Sequence, residues 1–144
     1  MKIAATALLI ILAVIACGCT TPAPAAATTP VTPATPDITG TWKGLSAGYD
    51  PGVGYTDYGN AMMVMNVSSQ QGRIFAGTFV FIGTKGNETI AFSGVIGRDG
   101  RTLTIPQKTG GYSFGEITAP GEIELVYVED GTRYTSSIDT LKKV

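Results

Sequence analysis

The chain has 144 residues, and its 10 Lys and Arg against 11 Asp and Glu leave a formal net charge of −1. Because its basic residues do not cluster, it lacks the electrostatic footprint of a nucleic-acid-binding protein, and we expect no nucleic-acid partner. It contains no His, and both Cys lie within the first 19 residues, so we expect no cofactor, no metal site and no catalysis by His or thiolate.

Residues 1–19 are typical of an export signal: Lys2 precedes an apolar run, and small residues follow it. The run from Ile3 to Ala16 has 14 residues, and as a helix it would span only about 21 Å of the ~30 Å hydrocarbon core. We therefore expect cleavage, with an uncleaved signal anchor as the alternative. Either outcome places the protein on the outer face of the cytoplasmic membrane, on the cell surface, or in the medium.

The end of this signal resembles a lipobox, the pattern at which exported lipoproteins are cleaved and acylated. Val14-Ile15-Ala16-Cys17 carries the resemblance, and Cys19, preceded by Gly18, is a second candidate. The resemblance implies a lipid on Cys17 or Cys19 that attaches the protein to the membrane. Plain secretion is the alternative.

Residues 20–36 form a linker built only from Thr, Pro, Ala and a single Val. They include five of the protein's eight prolines, and proline both fixes φ and removes a backbone donor, so we expect an extended spacer with no helix or ladder. At about 3.1 Å per residue, the spacer would reach roughly 50 Å.

Residues 37–144 are predicted to form one all-β domain. Short runs of β-branched and aromatic residues alternate with Gly-containing turns, and no apolar stripe keeps helical spacing for three turns. Eight strands joined by hairpins make an antiparallel up-and-down meander, which can close into a barrel without exposed edges. The predicted strands cover residues 38–45, 61–69, 73–82, 88–97, 101–105, 111–118, 122–129 and 132–141.

The alternation within these strands predicts which side chains point inward. On this basis the interior receives Met63, Met65, Val67, Phe75, Phe79, Phe81, Ile123, Leu125 and Tyr127. Gly77 and Gly94, inside strands, indicate bends or close approach. Whether the interior is filled by these side chains or holds a small ligand depends on volume and stays open at this point.

Two segments resemble the small barrels of avidins and lipocalins. In Ile38-Thr39-Gly40-Thr41-Trp42, the Gly-x-Trp order resembles the first strand of those families, where the indole plugs the closed end. Gly72 to Phe79 resembles the third avidin strand, on which an aromatic residue faces the ligand. The resemblance implies a calycin-type barrel with Trp42 and Phe79 at ligand-side positions, but not biotin binding, because the other tryptophans and the tyrosine hydroxyl are missing. The chain also resembles small archaeal surface lipoproteins with no assigned activity.

The longest predicted connection, residues 46–60, contains Tyr49, Tyr55 and Tyr58. Long loops in compact domains often carry function, and tyrosine offers a large contact area with a polar tip. We expect this loop to cover the barrel mouth and contact a ligand through the three tyrosines, with a self-packed loop as the alternative.

The resulting functional hypothesis is an exported, non-enzymatic surface barrel that binds a small molecule, a glycan or another surface protein at its open end. The alternative is a structural module that self-associates through its outer face, for example through Val126 and Val128 with Met62 and Val64. Asn66-Val67-Ser68 and Asn87-Glu88-Thr89 are N-glycosylation sequons, which predicts sugar on Asn66 and Asn87.

Overall fold

The computed structural model describes residues 33–58, 61–83 and 86–144. The predicted signal segment, both candidate lipidation cysteines and residues 20–32 of the linker lie outside the described residues. None of the helical structure in the described ranges is long and apolar enough to cross a bilayer.

Nine strands and one short 3₁₀ turn make up the described fold. The turn covers Gly131–Arg133 and lies between the last two strands. The strands are β1 (Gly40–Asp50), β2 (Gly54–Thr56), β3 (Met62–Gln71), β4 (Ile74–Gly83), β5 (Gly86–Ile96), β6 (Thr102–Pro106), β7 (Tyr112–Ala119), β8 (Glu122–Val128) and β9 (Ser136–Lys143).

Eight of these strands close into an antiparallel barrel, which confirms the predicted fold class. From β3 to β9, each strand pairs with its neighbour in the sequence. β1 then closes the cylinder, because it pairs with β3 through Gly40–Leu45 and with β9 through Trp42–Tyr49. β2 is an additional strand that pairs only with the end of β1.

The prediction of a loop over residues 46–60 is wrong for the first part of this range, which belongs to β1. β1 continues to Asp50 because β9 supplies hydrogen-bonding partners as far as Tyr49, and a hairpin to β2 follows. The two-residue turn predicted at Asp130-Gly131 is also longer in the structure. Glu129 N–H donates to the carbonyl of Thr135 (2.9 Å), which encloses the 3₁₀ turn and delays β9 to Ser136.

One end of the barrel is sealed by apolar side chains. Trp42 is buried there, its indole Nε1 donates to the carbonyl of Ile38 (2.9 Å), and the Lys143 ammonium lies 5.3 Å from its ring centroid. In the same apolar cluster, the inward positions of β3, β5, β6, β8 and β9 are filled by Val67, Ile96, Leu103, Ile123 and Leu141. We call this region the closed end.

Phenylalanine rings fill the middle of the barrel. The Phe79 and Phe92 centroids are 4.4 Å apart, and Phe75 meets Phe92 edge-on at 6.0 Å. Gly94 makes this packing feasible, because a Cβ at that position would overlap the Phe75 ring. The close approach predicted at this glycine is therefore an approach of an aromatic ring.

The seam between β5 and β6 is the shortest in the closed sheet. Only Val95–Thr104 and Ile96–Leu103 pair in regular register, and an isolated bridge joins Phe92 to Gln107. The bridge keeps the same register, and Lys108 N–H donates to the carbonyl of Ala91 (2.9 Å), so the pairing ends there and residues 86–90 of β5 extend beyond it. They extend towards the other end of the barrel, which we call the open end.

Candidate functional site

The open end contains a cavity of about 460 Å³, which lies within the range of about 300–1,000 Å³ that is usual for small-molecule sites. The interior is thus filled towards the closed end and hollow towards the open end. The cavity is lined by Ser46, Asp50, Tyr58, Ala61, Met62, Met63, Phe81, Ile82, Gly86, Glu88, Ile90, Gln107, Thr109, Tyr127, Glu129, Thr135 and Ser137.

Polar side chains replace apolar ones on the same inward faces as the strands approach this end. Along β9 the inward residues run from Leu141 through Asp139 to Ser137, and along β6 the apolar row is followed by Gln107. Because every second residue of a strand points to the same side, these polar side chains continue the inward rows of the core. The cavity therefore lies where the inward-facing rows of the core continue with polar side chains.

Asp139 is the one ionisable side chain among the buried residues of the described chain, with 1% of its surface exposed. In register it lies between Leu125 of β8 and Ser46 of β1. Burial raises the pKa of Asp139 to about 6, against the opposing hydrogen bonds from the hydroxyls of Ser46 and Ser137. Its Oδ1 accepts no hydrogen bond from the protein. Since Ser46 and Ser137 both line the cavity, the carboxyl lies directly behind the cavity wall.

Gln107 provides a second buried acceptor, in this case on the lining itself. Its side-chain Nε2 donates to Ser113 Oγ (3.1 Å), which orients the amide. Its Oε1 is buried and accepts no hydrogen bond from the protein. The isolated bridge to Phe92 holds Gln107 close to the point where the pairing of β5 with this segment ends, at the floor of the open end.

Two tyrosines, Tyr58 and Tyr127, line the cavity wall. Tyr58 donates to Asp50 Oδ1 (3.4 Å), and its hydroxyl occupies the space that a side chain at Gly48 would take. Burial, followed by the negative charge of Asp50, raises the pKa of Tyr58 to about 12, so the phenol stays protonated as a donor. Tyr127 donates to Glu129 Oε2 (3.0 Å).

The structure places the five predicted ligand residues in three different environments. Tyr58 alone lines the cavity. Tyr49 and Tyr55 lie on the β1–β2 hairpin, with 46% and 79% of their surface exposed. Trp42 seals the closed end, and Phe79 is fully buried among the phenylalanine rings, so neither reaches the cavity.

The polar floor was missed by the sequence reasoning, although a signal for it was present. Asp139 alternates in phase with Leu141, and Gln107 with Leu103 and Ile105. Each is therefore a polar residue at a position that the alternation predicts to be buried. Alternation alone could have singled out both residues. That both belong to one end of the barrel could not be found in this way, because β7 and β8 separate their strands in the sheet and only the folded barrel places Gln107, Ser46 and Ser137 around one cavity.

The two sequon asparagines do not line the cavity, although Asn87 lies between the lining residues Gly86 and Glu88. Asn66 on β3 and Asn87 on β5 are both exposed. Their side chains are sterically available for the predicted glycosylation, which stays a prediction.

The chain matches no known family in a scan against protein-family models, and a search of curated proteins finds no match either. The closed eight-stranded barrel is compatible with a calycin-type fold, and the functional argument therefore rests on the site alone.

Proposed function

We propose that this protein is an exported, lipid-anchored, non-enzymatic barrel that binds a small molecule in the cavity at its open end. The observation that carries the proposal is a cavity of about 460 Å³ with a wide mouth, above an interior otherwise packed to the closed end. Among a small molecule, a glycan chain and a protein partner, a concave site with a mixed polar and apolar lining favours the small molecule.

The direction of the chain is consistent with this function. The described end of the linker approaches the closed end, where Gln70 Nε2 donates to the carbonyl of Pro36 (2.8 Å) and Gln70 Oε1 accepts from Ile38 N–H (3.0 Å). A lipid at the predicted site would therefore connect to the sealed end, and the cavity would open at the opposite end of the barrel.

Native mass spectrometry of the full-length protein purified from its source tests the proposal. We expect a retained small molecule, together with the mass of an acyl chain. Ala61→Trp, which places a large side chain in the lining, should release the small molecule. Ala91→Trp, on the exposed side of β5, should retain it. Equal retention in both variants, or no bound small molecule in the unaltered protein, would contradict the proposal.

A second function, self-association, is favoured by an outer apolar face. Phe114, Val126 and Ile138 are exposed and aligned across β7, β8 and β9, and Tyr112 pairs with Val128 beside them. The Tyr112 and Phe114 rings stack at 6.4 Å. Contiguous exposed apolar surface of this kind often marks an interface. Val126 and Val128 were predicted to serve in this way, whereas Met62 and Val64 lie on β3.

Light scattering coupled to size exclusion separates the two functions. Self-association predicts a dimer or larger species of the full-length protein that becomes monomeric on Ile138→Lys. Val95→Lys, at an exposed position on β5, is the matched control. A monomer at all concentrations would contradict self-association and leave the ligand proposal intact.

A further inference from the structure

Building on the proposed small-molecule function, we propose that the cavity selects a ligand with a cationic hydrogen-bond donor, such as an ammonium or amidinium group, on a small apolar body. Two independent features of the described residues carry this inference. They are the buried acceptors without a protein donor and the sign of the charges around them.

The first feature is a shortage of donors at the cavity lining and directly behind it. Gln107 Oε1 and Asp139 Oδ1 are both buried, and neither accepts a hydrogen bond from the protein. Buried acceptors are normally paired, and leaving one unpaired costs about 1–3 kcal/mol. When Asp139 is ionised, both atoms act solely as hydrogen-bond acceptors. The complementary ligand group is therefore a donor. A carboxylate or phosphate would add further acceptors and would be disfavoured.

The second feature is charge. Asp50, Glu88 and Glu129 line the cavity, and Asp139 lies behind two of its lining serines. No Lys or Arg occurs among the described lining residues. A cation entering this cavity would be attracted from several sides, and it would meet this field where water is partly excluded and electrostatic interactions are stronger.

The apolar part of the ligand is indicated by another part of the lining. Met63, Phe81 and Ile90 contribute apolar surface from β3, β4 and β5, whereas the acceptors lie directly after β6 and on β9. A ligand with one donor end and one apolar end could satisfy both parts at once. A small hydrophilic cation, such as an inorganic ion, would leave the apolar part without a contact.

The test uses three probes that share a phenyl body and differ in the head group: 2-phenylethylamine, 2-phenylethanol and 3-phenylpropionate. Binding to the full-length ¹⁵N-labelled protein is followed at pH 7.5 by amide shifts, including the Gln107 side-chain amide. We expect the ammonium probe to bind at least about tenfold more tightly than the alcohol, and the carboxylate to bind most weakly.

Matched variants locate the source of this preference. Asp139→Asn and Glu129→Gln each remove one negative charge near the cavity, and each should weaken the ammonium probe by about threefold or more and the alcohol by clearly less. Glu124→Gln removes an exposed charge on β8 and should change neither affinity. Glu129→Gln retains an acceptor for Tyr127, so it tests the charge even if Asp139→Asn does not fold.

The possible failures are distinguishable. If no probe shifts the cavity amides, the cavity does not bind such molecules, and the proposed function fails together with this inference. If the alcohol or the carboxylate binds there as tightly as the amine, the ligand site stands and the cationic preference is overturned. A preference that persists undiminished in both charge variants also overturns the inference.

Discussion

The two ends of this barrel are built from the same strands but differ in the kind of side chain that they bury. At the closed end, inward positions are apolar, and Trp42, Ile38 and Leu141 are almost completely buried. At the open end, the same rows carry Asp139 and Gln107, whose buried acceptors lack protein donors. The closed end is therefore stabilised by apolar packing, whereas burial of polar groups at the open end is energetically unfavourable. This difference is expected where a fold supports a binding site, because strain and unpaired groups are tolerated for function.

The largest effect should come from opening the closed end. Trp42→Ala removes a buried indole and its hydrogen bond to Ile38, and we expect a loss of about 3–5 kcal/mol in the free energy of unfolding. Chemical denaturation of the full-length protein measures this change. Trp42→Phe should cost clearly less, because it retains much of the apolar volume. A loss below about 1 kcal/mol for the Ala variant would mean that Trp42 does not seal the barrel.

The next effect distinguishes the open end by pH. Well below pH 3.8, Asp139 is protonated in the folded and unfolded states, and its burial carries no charge penalty. As the pH rises through the folded pKa of about 6, the carboxyl must ionise inside the fold, whereas the unfolded chain ionises near 3.8. This shift costs about 3 kcal/mol by pH 8. Relative to the parent protein, Asp139→Asn should therefore become more stable as the pH rises from 4 to 8.

The pH comparison is made as a difference between parent and variant, because other carboxyls act in the opposite direction. Hydrogen bonds lower the pKa values of Asp37 and Asp99, so these groups favour folding above pH 4 and stop doing so in acid. They are common to both proteins and cancel in the difference. A parent–variant difference that stays constant from pH 4 to 8 would show that Asp139 is not buried as a titrating carboxyl.

The smallest effect concerns the tyrosines at the mouth. Tyr58→Ala removes a half-buried ring and its hydrogen bond to Asp50, and we expect a loss of about 1–2 kcal/mol together with weaker ligand binding. Tyr55→Ala removes an exposed ring and should alter stability by less than about 0.5 kcal/mol. Thermal unfolding and the probe titration measure both quantities. If Tyr55→Ala weakens binding as much as Tyr58→Ala does, the hairpin takes part in recognition.

The strand pattern was predictable because its cause is local. Alternating residues such as Met63, Met65 and Val67 are buried as expected, with Asn66 exposed between them. The end of β1 was not predictable from its own residues, since Ser46 to Asp50 resembles a turn-rich segment. It is a strand because β9 lies beside it, and that pairing joins parts of the chain that are about 90 residues apart.

The sequence by itself determined the barrel class and the inward faces, because a side-chain period of two and glycine turns are properties of neighbouring residues. Only the tertiary structure decided where the interior stays hollow and which polar groups meet there. The cavity lies beside the end of the short β5–β6 pairing, and its polar lining combines residues such as Ser46, Gln107 and Ser137 from separate strands of the closed cylinder. Volume and the pairing of distant groups are properties of the whole packed barrel, so no single strand encodes them.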